Sequence, residues 1–312
     1  MLVGKTFKIA MLAAGSALIM GAPAGFADEA AGVAKFSTAS DVSGYQVDYS
    51  PIAKFTNAFA TTERGRTKIA YAAVADQGKG FMKTYKNYLS GVPVSELTRN
   101  EQLAFWLNTR NMLVVDAMAN SKSRRRMANL RGTPEAPGKM WTEKLITVEG
   151  VELSLQDIEK DIILANFADN PNVIFGLYQG TKASPTFPAK GFSAANVNAE
   201  LKALGREFLD SRSGVKIRRS KAEVPAIIDW YSADVFGGDQ AAARVHVASL
   251  LGREDATKFN AATQFETRKF SYSSDEFIIR QQRPTGDSFS SGSTNTGGSS
   301  FGGGEGGGGG GS

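Results

Sequence analysis

Apolar residues fall on almost every side of one stretch of the chain. Leu103, Phe105, Trp106, Leu107, Met112, Leu113 and Val114 surround nearly the whole circumference of a helix drawn at 100° per residue. The run from Leu103 to Ala119 holds neither glycine nor proline, and Thr98 followed by Glu101 supplies a capping-box start. This pattern predicts a helix buried on most sides.

Around it the pattern changes period repeatedly. Lys68 to Leu89 carries Ala, Met and Tyr at spacings of three and four, which predicts helix. Ser121 to Met140 reads as a loop. Ile146 to Leu153, β-branched around Gly150, reads as a hairpin or strand. Ser154 with Asp157 opens a second capped helix to about Phe167, and the apolar run Asn172 to Tyr178, between Pro171 and Gly180, reads as a strand. Further helices are predicted from Ser193 to Leu209, Val224 to Val235 and Gln240 to Leu251, the last closed by Gly252, with a strand at Val215 to Arg219. The order lacks regular strand–helix alternation. It predicts an α+β fold, a mainly helical single domain with one small sheet over residues 65–283, preceded by an irregular lead-in at 28–64.

Both ends depart from this composition. Lys5 and Lys8 precede an uncharged apolar stretch from Ile9 to Met20, and small residues at Ala22, Ala24, Gly25 and Ala27 suit cleavage after Ala24 or Ala27. Residues 1–27 are therefore expected to be a signal peptide and the protein to be periplasmic or secreted, with no transmembrane segment in the mature chain. From Pro284 to Ser312 thirteen of the 34 glycines mix with Ser and Thr around two charges. Such a stretch has too little side chain to offset the entropy of ordering, so a disordered Gly/Ser tail is expected at 284–312.

Composition then removes several chemistries. There is no cysteine, which excludes disulfides and thiolate catalysis. The single histidine, His246, cannot make a histidine cluster and reads as a partly buried structural residue. No metal site and no cofactor are expected, since phosphate-binding loops, nucleophile elbows and calcium loops are missing. The net charge of +5 counts for little: without Lys5 and Lys8 the 36 basic residues become 34 against 31 acidic. The basic run Lys122 to Arg126 has no interleaved aromatics, so it reads as a solvated loop and no nucleic-acid partner is expected.

The remaining candidates lie on three segments. Glu101, Asn108 and Asn111 share one sector of about 80° on the apolar helix. Buried amides need partners, so this stripe is either the wall of a ligand site or a polar network pinning the helix to neighbouring loops. Asp157 has a capping role, which leaves Glu159 as the better working carboxylate of the second helix. In the loop Gly180-Thr181-Lys182-Ala183-Ser184-Pro185, Lys182 is a ligand-binding candidate, and Ser184 a nucleophile only with a base beside it.

Four ordered blocks resemble one family. Asn100-Glu101-Gln102-Leu103-Ala104-Phe105-Trp106-Leu107-Asn108, followed by Asn111-Met112-Leu113, is similar to the signature helix of the domain of unknown function 547 family. Leu153 to Glu159, Pro171 to Pro185 and Phe208 to Trp230 resemble its later motifs, giving a likeness over roughly residues 50 to 280. The resemblance implies a fold neighbourhood and no reaction. It also marks departures: the family pattern has Tyr at Arg110, His at Asp116, Lys160 and Ile174, and Cys at Gln179 and Ser184. Glu101, Trp106, Asn108, Asn111, Asp157 and Glu159 are retained.

Two functions follow. The first is a non-catalytic binding or scaffolding protein of the cell envelope, for an envelope ligand or a protein partner, using Asn108, Asn111 and Lys182. The second is a hydrolase-like or transferase-like enzyme working through carboxylates, with Glu101 or Glu159 as general base and Ser184 as a further catalytic candidate. The loss of thiol and imidazole together favours the first. Convergence of Glu101, Glu159 and Ser184 in one pocket would favour the second.

Overall fold

The computed structural model describes residues 32–121 and 130–279. The expected signal peptide, the basic run Lys122 to Arg126 and the glycine tail lie outside the described residues. The fold is α+β and mainly helical, as the pattern predicted. Among the described residues its strands form three small sheets rather than one.

The N-terminal part holds helix α1 (Ser50–Phe59), the hairpin β1 (Ala60–Glu63) and β2 (Arg66–Ile69), and helices α2 (Tyr71–Gln77) and α3 (Lys79–Ser90). Two expectations are corrected here. The lead-in at 28–64 is not irregular, because Ser50-Pro51 starts a helix that buries Ile52 and Phe55. The segment from Lys68 is not one helix, since Lys68 and Ile69 pair in the hairpin and Gly78 separates α2 from α3.

Helix α4 (Arg99–Asn120) is the centre of the molecule. Every residue from Gln102 to Val115 is buried, and α4 packs against α2, α3's neighbour in sequence, and against the helix that carries Glu159. The Glu101 carboxylate accepts the Thr98 N–H at 2.8 Å and its hydroxyl at 2.7 Å, closing the predicted capping box.

A short helix, α5 (Lys139–Thr142), leads into the hairpin β3 (Lys144–Val148) and β4 (Val151–Ser154). The second capping box is present too: Asp157 accepts from the Ser154 N–H at 2.6 Å and donates its own N–H to Ser154 Oγ at 3.2 Å. Beyond it the chain winds as a π-helix, Asp157–Leu164, and then as an α-helical turn, Ala165–Phe167. The strand expected at Asn172 to Tyr178 is instead a 3₁₀ helix, Pro171–Gly176, started by Pro171 and by the Asn170 side chain accepting from the Asn172 N–H. Val173, Ile174 and Phe175 are all fully buried, and an apolar run buried on every side carries no period to tell strand from helix.

Helix α6 (Val197–Asp210) lies on that 3₁₀ helix. Strands β5 (Lys216–Arg218) and β6 (Lys221–Val224) form an antiparallel pair, and the chain then runs through α7 (Ala226–Trp230), α8 (Ser232–Phe236), α9 (Gln240–Leu250) and α10 (Arg253–Asn260) before β7 (Gln264–Thr267) returns parallel to β6. Gly252 begins α10 rather than closing α9. His246, on α9, is half-buried and stacks on Phe175 at 6.4 Å between ring centroids. No helix among the described residues is long and apolar enough to cross a membrane.

Candidate functional site

The structure separates the candidates into an interior network and an open groove. The interior network is built on Glu159, which the π-helix directs toward α4. Its Oε2 accepts from Arg110 Nη2 at 2.5 Å, Arg110 Nε at 3.1 Å and Trp141 Nε1 at 3.2 Å. Its Oε1 accepts from the Tyr231 hydroxyl at 2.6 Å and lies 3.5 Å from Arg131 Nη2. Burial alone would raise the Glu159 pKa, but the two guanidiniums, with the hydrogen bonds from Tyr231 and Arg110, hold it down at about 2. Burial and the neighbouring Glu159 carboxylate push the Tyr231 phenol up.

The same network includes Gln179 and Ser184. Gln179 accepts from Arg131 Nε at 3.0 Å and donates to the Tyr231 hydroxyl at 3.1 Å, while its backbone N–H donates to Ser184 Oγ at 3.3 Å. The Ser184 hydroxyl faces the carbonyl oxygens of Thr181 and Pro185, so its hydrogen-bond partners include no base. Glu159 and Ser184 are thus brought to one interior through Gln179. Glu101 is not among them, because it is occupied at the first turn of α4.

The amide stripe is a set of loop pins. Asn108 donates to the Phe192 carbonyl at 2.8 Å and accepts the Phe192 N–H at 2.9 Å. Asn111 donates to the Gly176 carbonyl at 2.9 Å and accepts from the Tyr178 N–H at 3.2 Å and Arg110 at 3.0 Å. Of the two readings of this stripe, the pinning network is the one formed. Lys182 is exposed, and its loop is tied through its backbone to Ser273 and Ser213.

The positions at which the resemblance implied other residues are each accommodated by their surroundings. Arg110 and Gln179 belong to the Glu159 network, Asp116 pairs with Lys86 at 2.9 Å, Lys160 with Asp234 at 2.7 Å, and Ile174 lies in the core.

The open groove was not predicted from sequence. Arg64 and Arg66 of the β1–β2 hairpin line one side, Thr186 stands between, and Glu207, Asp210 and Ser211 from the end of α6 line the other, around a cavity of about 240 Å³. Arg66 is fixed, donating to Asp275 at 2.5 Å and to the Ser184 carbonyl at 3.1 Å. It therefore joins the groove to the Ser184 loop. Glu207 has its pKa raised by partial burial, countered by Arg66 and reinforced by Glu200. The sequence signal that could have found this hairpin is the Arg64-Gly65 dipeptide, which lacks the Asn-Gly or Asp-Gly form of a two-residue turn. A smaller cavity of about 70 Å³, lined largely by apolar residues, lies between β6, β7 and α9, but its acid Glu266 is paired with Lys221 and its Arg244 lies over Phe265.

Residues 94–209 match the model of a family described as protein of unknown function, DUF547. The match takes in α4, the π-helix and α6, a narrower span than the blocks of sequence likeness, and leaves the β1–β2 hairpin outside. No curated protein and no solved structure matches the chain.

Proposed function

Because residues 94–209 match the DUF547 family model, whose description carries no reaction, we propose a function from the geometry: an exported, non-catalytic binding domain of the cell envelope that takes a small polar ligand in the groove between the β1–β2 hairpin and α6. The observation that carries it is the division of charged groups. The carboxylates and hydroxyl that would do chemistry are already engaged by other groups of the protein, whereas Arg64, Glu207 and Asp210 line an open concavity.

The carboxylate-enzyme reading is disfavoured by the same division. A general base works best with a pKa near the working pH. Glu159, held at about 2 between two guanidiniums, is a poor proton acceptor, and the Glu101 carboxylate accepts both donors of Thr98.

The test is a thermal-shift screen of the purified protein against amino acids, short peptides, sugars and peptidoglycan fragments. A ligand at a hundred times its Kd stabilises by about 2.7 kcal/mol, a readily measured shift. A hit that is lost in Arg64→Gln, with the melting temperature of the unliganded protein preserved, supports the reading. Hits insensitive to every groove substitution place binding elsewhere. Export is tested by fractionating cells of the native host: retention in the cytoplasm overturns it.

A further inference from the structure

The arrangement of charge in the groove specifies more than a polar ligand. Asp210 is the last residue of α6 and Glu207 lies one turn before it. The C-terminal end of a helix carries partial negative charge, so two carboxylates there are placed unfavourably unless a cation meets them. Glu207 is also crowded by the hairpin. A methyl group on Gly65 would stand 2.8 Å from its Oε1, and the resulting burial raises the carboxyl pKa. The cation that acts on Glu207, Arg66, is itself committed to Asp275 at 2.5 Å.

The opposite wall has the complementary charge. Glu63 pairs with Arg66, which leaves Arg64 and Gly65 as a two-residue turn with φ of 51° and 76°. Both turn positions need positive φ, which suits Asn-Gly or Gly-Gly and disfavours a long side chain at the first of them. Arg64 nevertheless stands there, exposed at the groove. At the equivalent position of the β3–β4 turn, Glu149 (φ 45°) is held by Lys35 and the Ser95 N–H. Arg219 (φ 54°), the third such residue, lines neither cavity. A strained position that presents a charge to a concavity is of the kind that function retains.

We infer that the groove takes a small zwitterion, an amino acid or short peptide, with its ammonium group on Glu207 and Asp210 and its carboxylate on Arg64. The inference rests on the reading of the groove as the ligand site. Its cavity volume of about 240 Å³ lies below the usual range for drug-sized ligands, which suits a ligand no larger than an amino acid or short peptide. Arg66, already committed to Asp275, keeps the Arg64 turn and the Ser184 loop in register.

The experiment is titration calorimetry of the whole protein with alanyl-alanine, its N-acetyl derivative, its C-terminal amide and N-acetylglucosamine. The expected result is binding of the free dipeptide, weakened about tenfold or more by either blocking group, since each removes a charge-assisted contact. Glu207→Gln/Asp210→Asn should abolish discrimination against the N-acetyl form, and Arg64→Gln discrimination against the amide, with unchanged melting temperatures showing that both variants fold. Equal affinity for free and blocked dipeptides overturns the inference. So does binding of N-acetylglucosamine alone that is lost in the groove variants, although the groove then stands as a ligand site. No binding by any of the four overturns the zwitterion assignment, and a blank in the wider screen as well removes the groove reading with it.

Discussion

Glu159 and Arg110 meet at 2.5 Å with side chains exposed by no more than 2% and 0%. This ion pair joins the π-helix to the central helix α4. Arg131 adds a second guanidinium, its centre 4.4 Å from the Trp141 ring and 5.2 Å from the Trp230 ring. One carboxylate therefore serves two buried cations, which sets the first two predictions.

Removing the carboxylate should be severe. Glu159→Gln leaves both guanidiniums buried without their counter-charge, and breaking a buried pair in this way costs about 3–5 kcal/mol. Urea denaturation should show the loss. A change below about 1 kcal/mol would mean that water or rearrangement neutralises the network.

The pH dependence has a definite sign. The ordinary pKa of 4.5 falls to about 2 in the folded protein, so the folded state favours the ionised form. The stabilisation is complete above about pH 4.5 and is lost progressively as pH falls toward 2. Urea midpoints measured down this range should fall steeply, and more steeply than in Glu159→Gln. Parallel curves for the two proteins would assign the acid sensitivity to other groups.

Asn108→Leu strips the Phe192 backbone of two hydrogen bonds inside the protein. The expected cost is about 1–3 kcal/mol, read by calorimetric melting. The loop has little room to reorganise, since a side chain on Gly191 would lie 2.9 Å from Asn108 Oδ1. A stability-neutral substitution would contradict the pinning role.

The Arg64-Gly65 turn should show opposed effects on stability and binding. Arg64→Asn relieves a left-handed arginine and should raise stability by a few tenths to about 1 kcal/mol, while weakening whatever ligand the groove holds. Gly65→Ala should destabilise by about 1 kcal/mol or more, because of its φ of 76° and the approach to Glu207. An Arg64→Asn protein that is less stable would show that Arg64 makes a structural contact.

Local interactions were legible in the sequence. Thr98 with Glu101 and Ser154 with Asp157 began their helices as expected, because a capping box is written within four residues. The all-round apolar pattern of α4 correctly implied burial. What sequence could not give was the identity of partners. Asn108 and Asn111 allowed both a ligand wall and loop pins until Phe192, Gly176 and Tyr178 were brought against them from 65 to 84 residues away. Glu159 looked available for chemistry until Arg110, 49 residues earlier, took it.

A mainly helical α+β domain, its central helix and the absence of thiol chemistry could be read before folding, since periodicity, caps and composition act over a few residues or none. Packing between distant segments makes Val173 to Phe175 wind as 3₁₀ helix, pairs the ionised Glu159 with two buried guanidiniums, and brings Arg64, Glu207 and Asp210 to one groove. Those outcomes depend on which charges the folded chain brings within a few ångströms, and Coulombic and hydrogen-bond energies follow distance in space rather than separation along the sequence.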